Sequence, residues 1–173
     1  MAKLAFVPPA PGHETAVMEF RAGFLKGGEK AINGGCGLER YPDYRKWLTW
    51  LEQVRAGASQ YPATECVLAL RKDGAVAGIL SLRPGLTSEE ARKWGHIGYA
   101  VAPALRNRGY AGQMLAWGVD RLAEHGLKEV AACCYASNLP SCRVLEKAGF
   151  APDGGYPEEG SGKPVVRYKK RFI

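Results

Sequence analysis

Between Val101 and Leu115 the chain reads VAPALRNRGYAGQML, joining an apolar run to a helical pattern through two arginines and two glycines. The first N–H groups of a helix lack internal partners and carry the positive end of its dipole, so such a turn suits a phosphate group. Gly109 and Gly112 have no side chain to hold an anion away from the backbone, Ala111 is nearly as small, and Arg106 and Arg108 add charge. The same residues also describe an ordinary strand-to-helix turn with solvated arginines, because a short Gly-x-x-Gly is weakly selective.

The elements around this turn decide where it stands. Leu4 to Val7 reads as a strand stopped by prolines, and GHETAVMEFRAGFLKG as a helix carrying Val17, Phe20, Phe24 and Leu25 at helical spacing. DYRKWLTWLEQVRAG places Tyr44, Trp47, Leu48, Leu51 and Val54 on one face, with Asp43 as N-cap and Gly57 as stop. ECVLALRKDGAVAGILSLRP reads as two strands joined at the Asp73-Gly74 hairpin signal, and WGHIGYAVAP as another ended by Pro103. A helix with Ala111, Leu115, Val119 and Leu122 on its face follows, then the strand KEVAACCYA, the helix SCRVLEKAGF and a strand in KPVVRYKKRFI that forms a hairpin arm with FAPDGGY. This order predicts a mixed α/β sheet. HIGYAV and VAACCY, joined by a long helix, must be a parallel right-handed pair, and ligands favour the carboxyl ends of such strands.

With 173 residues, 46% of them hydrophobic, the chain is read as one domain over 1–173. No apolar run approaches a membrane span, and the N-terminal stretch lacks the pattern of a signal peptide. Five cysteines without paired-thiol spacing suggest reduced thiols in a cytoplasm. A net charge of +7 favours an anionic partner. Only RYKKRF is densely basic, and as a strand it reads as a solvated edge rather than a nucleic-acid patch.

The pattern V-x-P-x-x-R-N-R-G-Y-A-G, preceded by HIGY and followed by ASNLPSCRVLEKAGF, resembles the GNAT superfamily of acyl-CoA-dependent acyltransferases. Arg106, Gly109 and Ala111 match its first signature, and Asn138, Ser141, Glu146, Lys147, Gly149 and Phe150 its second. INGGCGLERYPDY before the core and the GKPVVRY-like end are similar to a group of bacterial acetyltransferases within it. The resemblance implies a mostly antiparallel sheet with a central splayed parallel strand pair flanked by helices. It implies acetyl-CoA as acyl donor, without a metal. N–H groups of Asn107, Arg108, Gly109, Tyr110, Ala111 and Gly112 would hold the pyrophosphate, and Tyr99, Ala100 and Val101 would pair with the pantetheine arm. A backbone N–H at Val101 or its neighbour would bind the thioester oxygen. Asn138 matches a cofactor-contacting position and equally suits a helix N-cap.

Acyl transfer to an amine calls for a proton acceptor, since a free alkyl amine with a pKa near about 10 is charged at neutral pH. His96 takes the strand position where many relatives carry glutamate, although a strand histidine is as often a packed residue. Glu39 is the second candidate base. Many relatives place a proton-donating tyrosine where this chain has Leu145, which leaves Ser141, Tyr135 or water for that task. Cys36 has no activating partner placed by sequence, so covalent catalysis is set aside. The expected activity is direct acetyl transfer from acetyl-CoA to a primary amine of a small molecule or peptide, by a monomer or homodimer. The alternative is an acetyl-CoA-binding sensor or partner-binding module. Neither nucleic acid nor a membrane is an expected partner.

Overall fold

The computed structural model describes residues 3–58 and 60–172. Strand β1 (Ala5–Val7) leads into helices α1 (Glu14–Lys26) and α2 (Tyr44–Arg55). Strands β2 (Glu65–Leu70), β3 (Val76–Leu82) and β4 (Ile97–Val101) follow, with α3 (Ser88–Trp94) between the last two. Helix α4 (Tyr110–Glu124), β5 (Glu129–Tyr135), α5 (Leu139–Lys147), β6 (Ala151–Pro157) and β7 (Pro164–Arg171) complete the order. One seven-stranded sheet runs β1-β2-β3-β4-β5-β7-β6, antiparallel except where β4 meets β5. This is the mixed, mostly antiparallel α/β sheet with one central parallel pair that the sequence predicts.

Local chemistry explains the boundaries. Asp43 Oδ1 accepts the N–H groups of Arg45 and Lys46 at 3.0 and 3.3 Å, capping α2. Asp73 Oδ1 accepts the Ala75 N–H at 3.2 Å, and Gly74 takes φ +82° in the β2–β3 turn. Helix α3, absent from the element order expected above, begins with a reciprocal cap: Thr87 Oγ1 accepts from Glu90 N–H and Glu90 Oε2 accepts from Thr87 N–H.

The sheet separates two cores. On one side Met114, Leu115, Val119 and Leu122 of α4 and Leu145 of α5 pack on Leu80, Leu82, Ile97 and Val130. On the other, Val17, Phe20 and Phe24 of α1 and Tyr44 and Trp47 of α2 pack on Leu68 and Ile79. Leu25 departs from its expected place on the α1 face and is 40% exposed, one residue beyond the buried stripe. The basic tail strand is also not an edge. β7 lies between β5 and β6, and Lys169 and Arg171 sit 3.1 and 2.8 Å from Glu129 carboxylate oxygens, so part of its charge is met within the sheet.

Candidate active site

The parallel pair is joined by little. Its register holds one pair, Ile97 with Ala132, whereas β3 and β4 share five. His96 O accepts from Arg83 N–H and Ala102 N–H donates to Ala77 O, so alternation turns the even residues of β4 toward β3. Tyr99 and Val101 therefore present backbone N–H and C=O toward β5, beyond the point where pairing stops. A strand edge of this kind offers ladder partners to an extended amide-bearing chain.

Beyond β4 the chain passes Pro103–Leu105 and enters the glycine turn. Asn107 (φ +60°) and Gly109 (φ +77°) are both left-handed, which reverses the chain just before α4. The early N–H groups of α4 have no carbonyl behind them, and Asn107, Arg108, Gly109 and Gly112 are exposed. Apart from its chain neighbours and the backbone of α4 itself, no atom of a described residue lies within 4 Å of the point where a Cβ on Gly112 would stand, so the helix surface is open at that residue. Arg106 is more than a simple counter-charge. Arg106 Nη2 is 2.7 Å from Glu29 Oε1, with its guanidinium 5.5 Å from the centre of the Phe24 ring. Tyr110 is buried in the α4-side core, which leaves only its backbone for a ligand.

A cavity of about 480 Å³ lies where β4 and β5 separate, with Gly98, Tyr99, Cys134, Asn138, Ser141 and Leu145 in its wall. Asn138 Oδ1 accepts the Ser141 N–H at 3.3 Å, which confirms its N-cap geometry and occupies that oxygen. Tyr99 and Ser141 hydroxyls are 3.1 Å apart. Burial raises the Tyr99 pKa above its ordinary value, so the phenol remains protonated at neutral pH and can donate. Leu145 is only 1% exposed and puts hydrocarbon at the position where the resemblance would place a tyrosine. The sequence places Tyr99 on the cofactor strand but gives no sign of a role for its hydroxyl. The spacing of residues 42 apart carries no signal for such a contact.

The two candidate bases stand elsewhere. His96 Nδ1 accepts the Ala131 N–H at 2.9 Å, the backbone N–H of His96 donates to Ala131 O, and its side chain lines neither cavity described here. Burial, then the positive charge of Arg83, lowers its pKa and keeps the ring neutral. Its imidazole thus extends β4–β5 pairing by one residue at the closed end of the split. Glu39 Oε2 accepts the Ile32 N–H at 3.4 Å and lines a second cavity of about 280 Å³ on the α1–α2 side of the sheet. The structure does not bring His96, Ser141 and Glu39 together. Tyr135 lines the first cavity with its hydroxyl on Glu158 Oε1 at 2.5 Å.

The glycine-rich loop forms the roof between the cavities. A Cβ on Gly34 would stand 2.7 Å from Gly98 O and 2.9 Å from Tyr99 Cα, and Gly34 has φ +76°, so only glycine lets this loop lie on β4. Cys36 adopts φ +50°, and its thiol pKa is lowered by a hydrogen bond with Cys66 and then by Arg83. Arg83, a residue that sequence reading did not single out, lines both cavities, as do Asn33, Gly34 and Trp94. Among the described residues no group of three or more His, Cys, Asp or Glu is placed to hold a metal, and no helix is long and apolar enough to cross a membrane.

Residues 30–150 match the model of the acetyltransferase (GNAT) family, and the chain belongs to that family. No curated protein sequence matches it. Among solved structures, the ribosomal alpha-N-protein acetyltransferase RimL in complex with coenzyme A is similar over 99% of this chain and 96% of its own, at 14% identity and TM-score 0.75. The microcin self-immunity acetyltransferase MccE, in complex with acetyl-CoA and AMP, gives 15% identity and TM-score 0.73 over 98% and 93% of the two chains. A ribosomal-protein-alanine N-acetyltransferase from Brucella melitensis gives 21% identity and TM-score 0.69 over 98% and 100%. At such identities the likeness concerns the fold.

Proposed function

We propose that this chain, folded as a single domain over 1–173, transfers an acetyl group from acetyl-CoA to a primary amine by direct attack while both are bound. The observation that carries this reading is the split of β4 from β5 beside a helix start whose residues Asn107, Arg108, Gly109 and Gly112 are exposed. Both parts fit the donor: the bare turn at Asn107–Gly112 suits a pyrophosphate, and the unpaired side of Tyr99 and Val101 suits the amides of a pantetheine arm. The neighbours solved with coenzyme A or acetyl-CoA support this choice of ligand. The bound thioester supplies the acetyl group.

The chain's own groups then have separate tasks. Backbone N–H groups from Arg108 to Gly112 hold the anion, while Arg106, engaged with Glu29, tethers the turn to the end of α1. The Val101 N–H polarises the thioester oxygen. The Tyr99 hydroxyl, oriented by Ser141, donates a proton to the departing sulfur. His96 is a positioning residue that fixes where the two strands part. Glu39, which lines the cavity under the α1–α2 loop, takes the proton from the amine. An acetyl-CoA turnover assay against amino acids, polyamines, aminoglycosides and peptide N-termini tests this reading. CoA release with an acetylated product is expected for one class, and tight acetyl-CoA binding without transfer to any amine would contradict it.

A further inference from the structure

Arg83 follows β3 and is paired in register with His96 at the start of β4, facing the α1–α2 loop. Its Nη1 donates to Ser81 Oγ at 2.9 Å, the one side-chain hydrogen bond of its guanidinium among the described residues. No carboxylate oxygen of a described residue lies within 4 Å of it. The acidic residues around the two cavities are otherwise engaged. Glu158 accepts from Tyr135 and Ser161, Glu159 lies 3.9 Å from Lys93 Nζ, and Glu39 accepts from Ile32 N–H. Desolvation lowers the Arg83 pKa, and only thiols, Cys36 and Cys133, oppose that effect. A largely desolvated guanidinium without a counter-charge is costly, and five planar N–H donors match a carboxylate in a fork.

Position sharpens the point. Arg83 lines both cavities, so it stands where the donor cavity meets the acceptor cavity. Gly98 brings it close: a Cβ there would stand 2.9 Å from Ser81 Oγ and 3.6 Å from Arg83 Nη2. We propose that Arg83 receives the carboxylate of the acceptor, and that the acceptor is an amino acid or a small molecule like one, with its amine a few bonds from that carboxylate. This rests on the acetyl-transfer reading above. The positive charge also favours the neutral form of a nearby amine, and it disfavours polyamines and aminoglycosides, which carry several positive charges and no carboxylate.

The test uses the full chain and the standard L-amino acids, each beside its carboxamide, which keeps the amine and removes the carboxylate. Acetyl transfer is measured for the wild type and for Arg83→Gln and Arg83→Lys, with acetyl-CoA binding as the control for folding. The expected result is a kcat/KM for the acid at least about tenfold above the amide, since a hydrogen bond to a charged group is worth about 1.5–3 kcal/mol. Arg83→Gln should bring that ratio to about one, with Arg83→Lys between. Equal use of acids and amides by the wild type, or a ratio that survives in Arg83→Gln, overturns the proposal and leaves acetyl transfer standing. If no amine is acetylated, the functional reading fails, and saturation-transfer NMR decides the Arg83 site separately. Amino-acid signals present with wild type and lost with Arg83→Gln support the site, and signals absent or unchanged overturn it.

Discussion

The two ends of the proposed site are built from different material. The donor end is backbone: a left-handed turn at Asn107 and Gly109, the start of α4, and the unpaired side of β4. The acceptor end is side chain: Arg83, Glu39 and Trp94 under a loop held down by Gly34. Backbone binding asks for glycines at fixed spacing, which a sequence displays. Side-chain binding asks for one residue of the right kind brought close by the fold, which a sequence conceals. The donor end is therefore the part a family can share, and the acceptor end the part that sets specificity.

Substitutions can break this contrast. The largest effect belongs to Gly109→Val, which places a β-branched residue at φ +77° at a cost of about 1–3 kcal/mol of backbone strain. Two hydrogen bonds to a charged group lost with the turn, at about 1.5 kcal/mol each, correspond to roughly a 100-fold weaker acetyl-CoA affinity by calorimetry. An unchanged affinity would remove the turn from the account. Tyr99→Phe comes next. Loss of a proton donor predicts a fall in kcat of about 100-fold with acetyl-CoA binding retained. A Tyr99→Phe enzyme as fast as wild type would pass the donor role to Ser141 or water.

A smaller effect tests the closed end of the split. His96→Leu leaves the Ala131 N–H without its imidazole partner, costing about 1–3 kcal/mol, read as a lower melting temperature at pH 7.5. The pH dependence has a definite sign. Because the folded state holds His96 below its ordinary pKa of about 6.5, the unfolded chain binds more protons just below that pH. Its contribution to wild-type stability is full above pH 6.5 and is lost as pH falls toward the lowered folded value. In that window the stability of His96→Leu should fall less steeply with acid, and parallel curves would show that His96 does not titrate with folding.

The smallest change gives the cleanest separation. At Gly112, inside the first turn of α4 with open space around its Cβ position, alanine should stabilise the fold by about 0.5–1 kcal/mol. Acetyl-CoA affinity should nevertheless fall several-fold, by up to about tenfold, because the methyl group enters the space assigned to the pyrophosphate. Higher melting temperature with unaltered affinity would place the anion elsewhere.

Much of the fold was legible because its signals are local. The Asp43 cap, the Asp73-Gly74 turn and the period of α4 each state an element within a few residues. Helix α3 carries the same kind of signal in its Thr87–Glu90 box, but seven residues show too little periodicity to declare a helix. The β7 strand sits inside the sheet rather than at its edge because strand order depends on long-range pairing. The same limit hid Arg83 and the Tyr99–Ser141 contact, where residues far apart in sequence meet only across the fold. His96 was visible as a histidine on a strand, but its engagement with Ala131 was not.

The central claim is that the open side of β4 and the glycine turn together receive acetyl-CoA. Amide hydrogen exchange with and without acetyl-CoA tests it most directly. Bound acetyl-CoA should slow exchange at Tyr99, Val101 and Arg108 to Gly112, with the Asn33–Gly37 loop little changed. Protection confined to that loop, or binding that leaves Tyr99, Val101 and the turn exchanging as before, would contradict it.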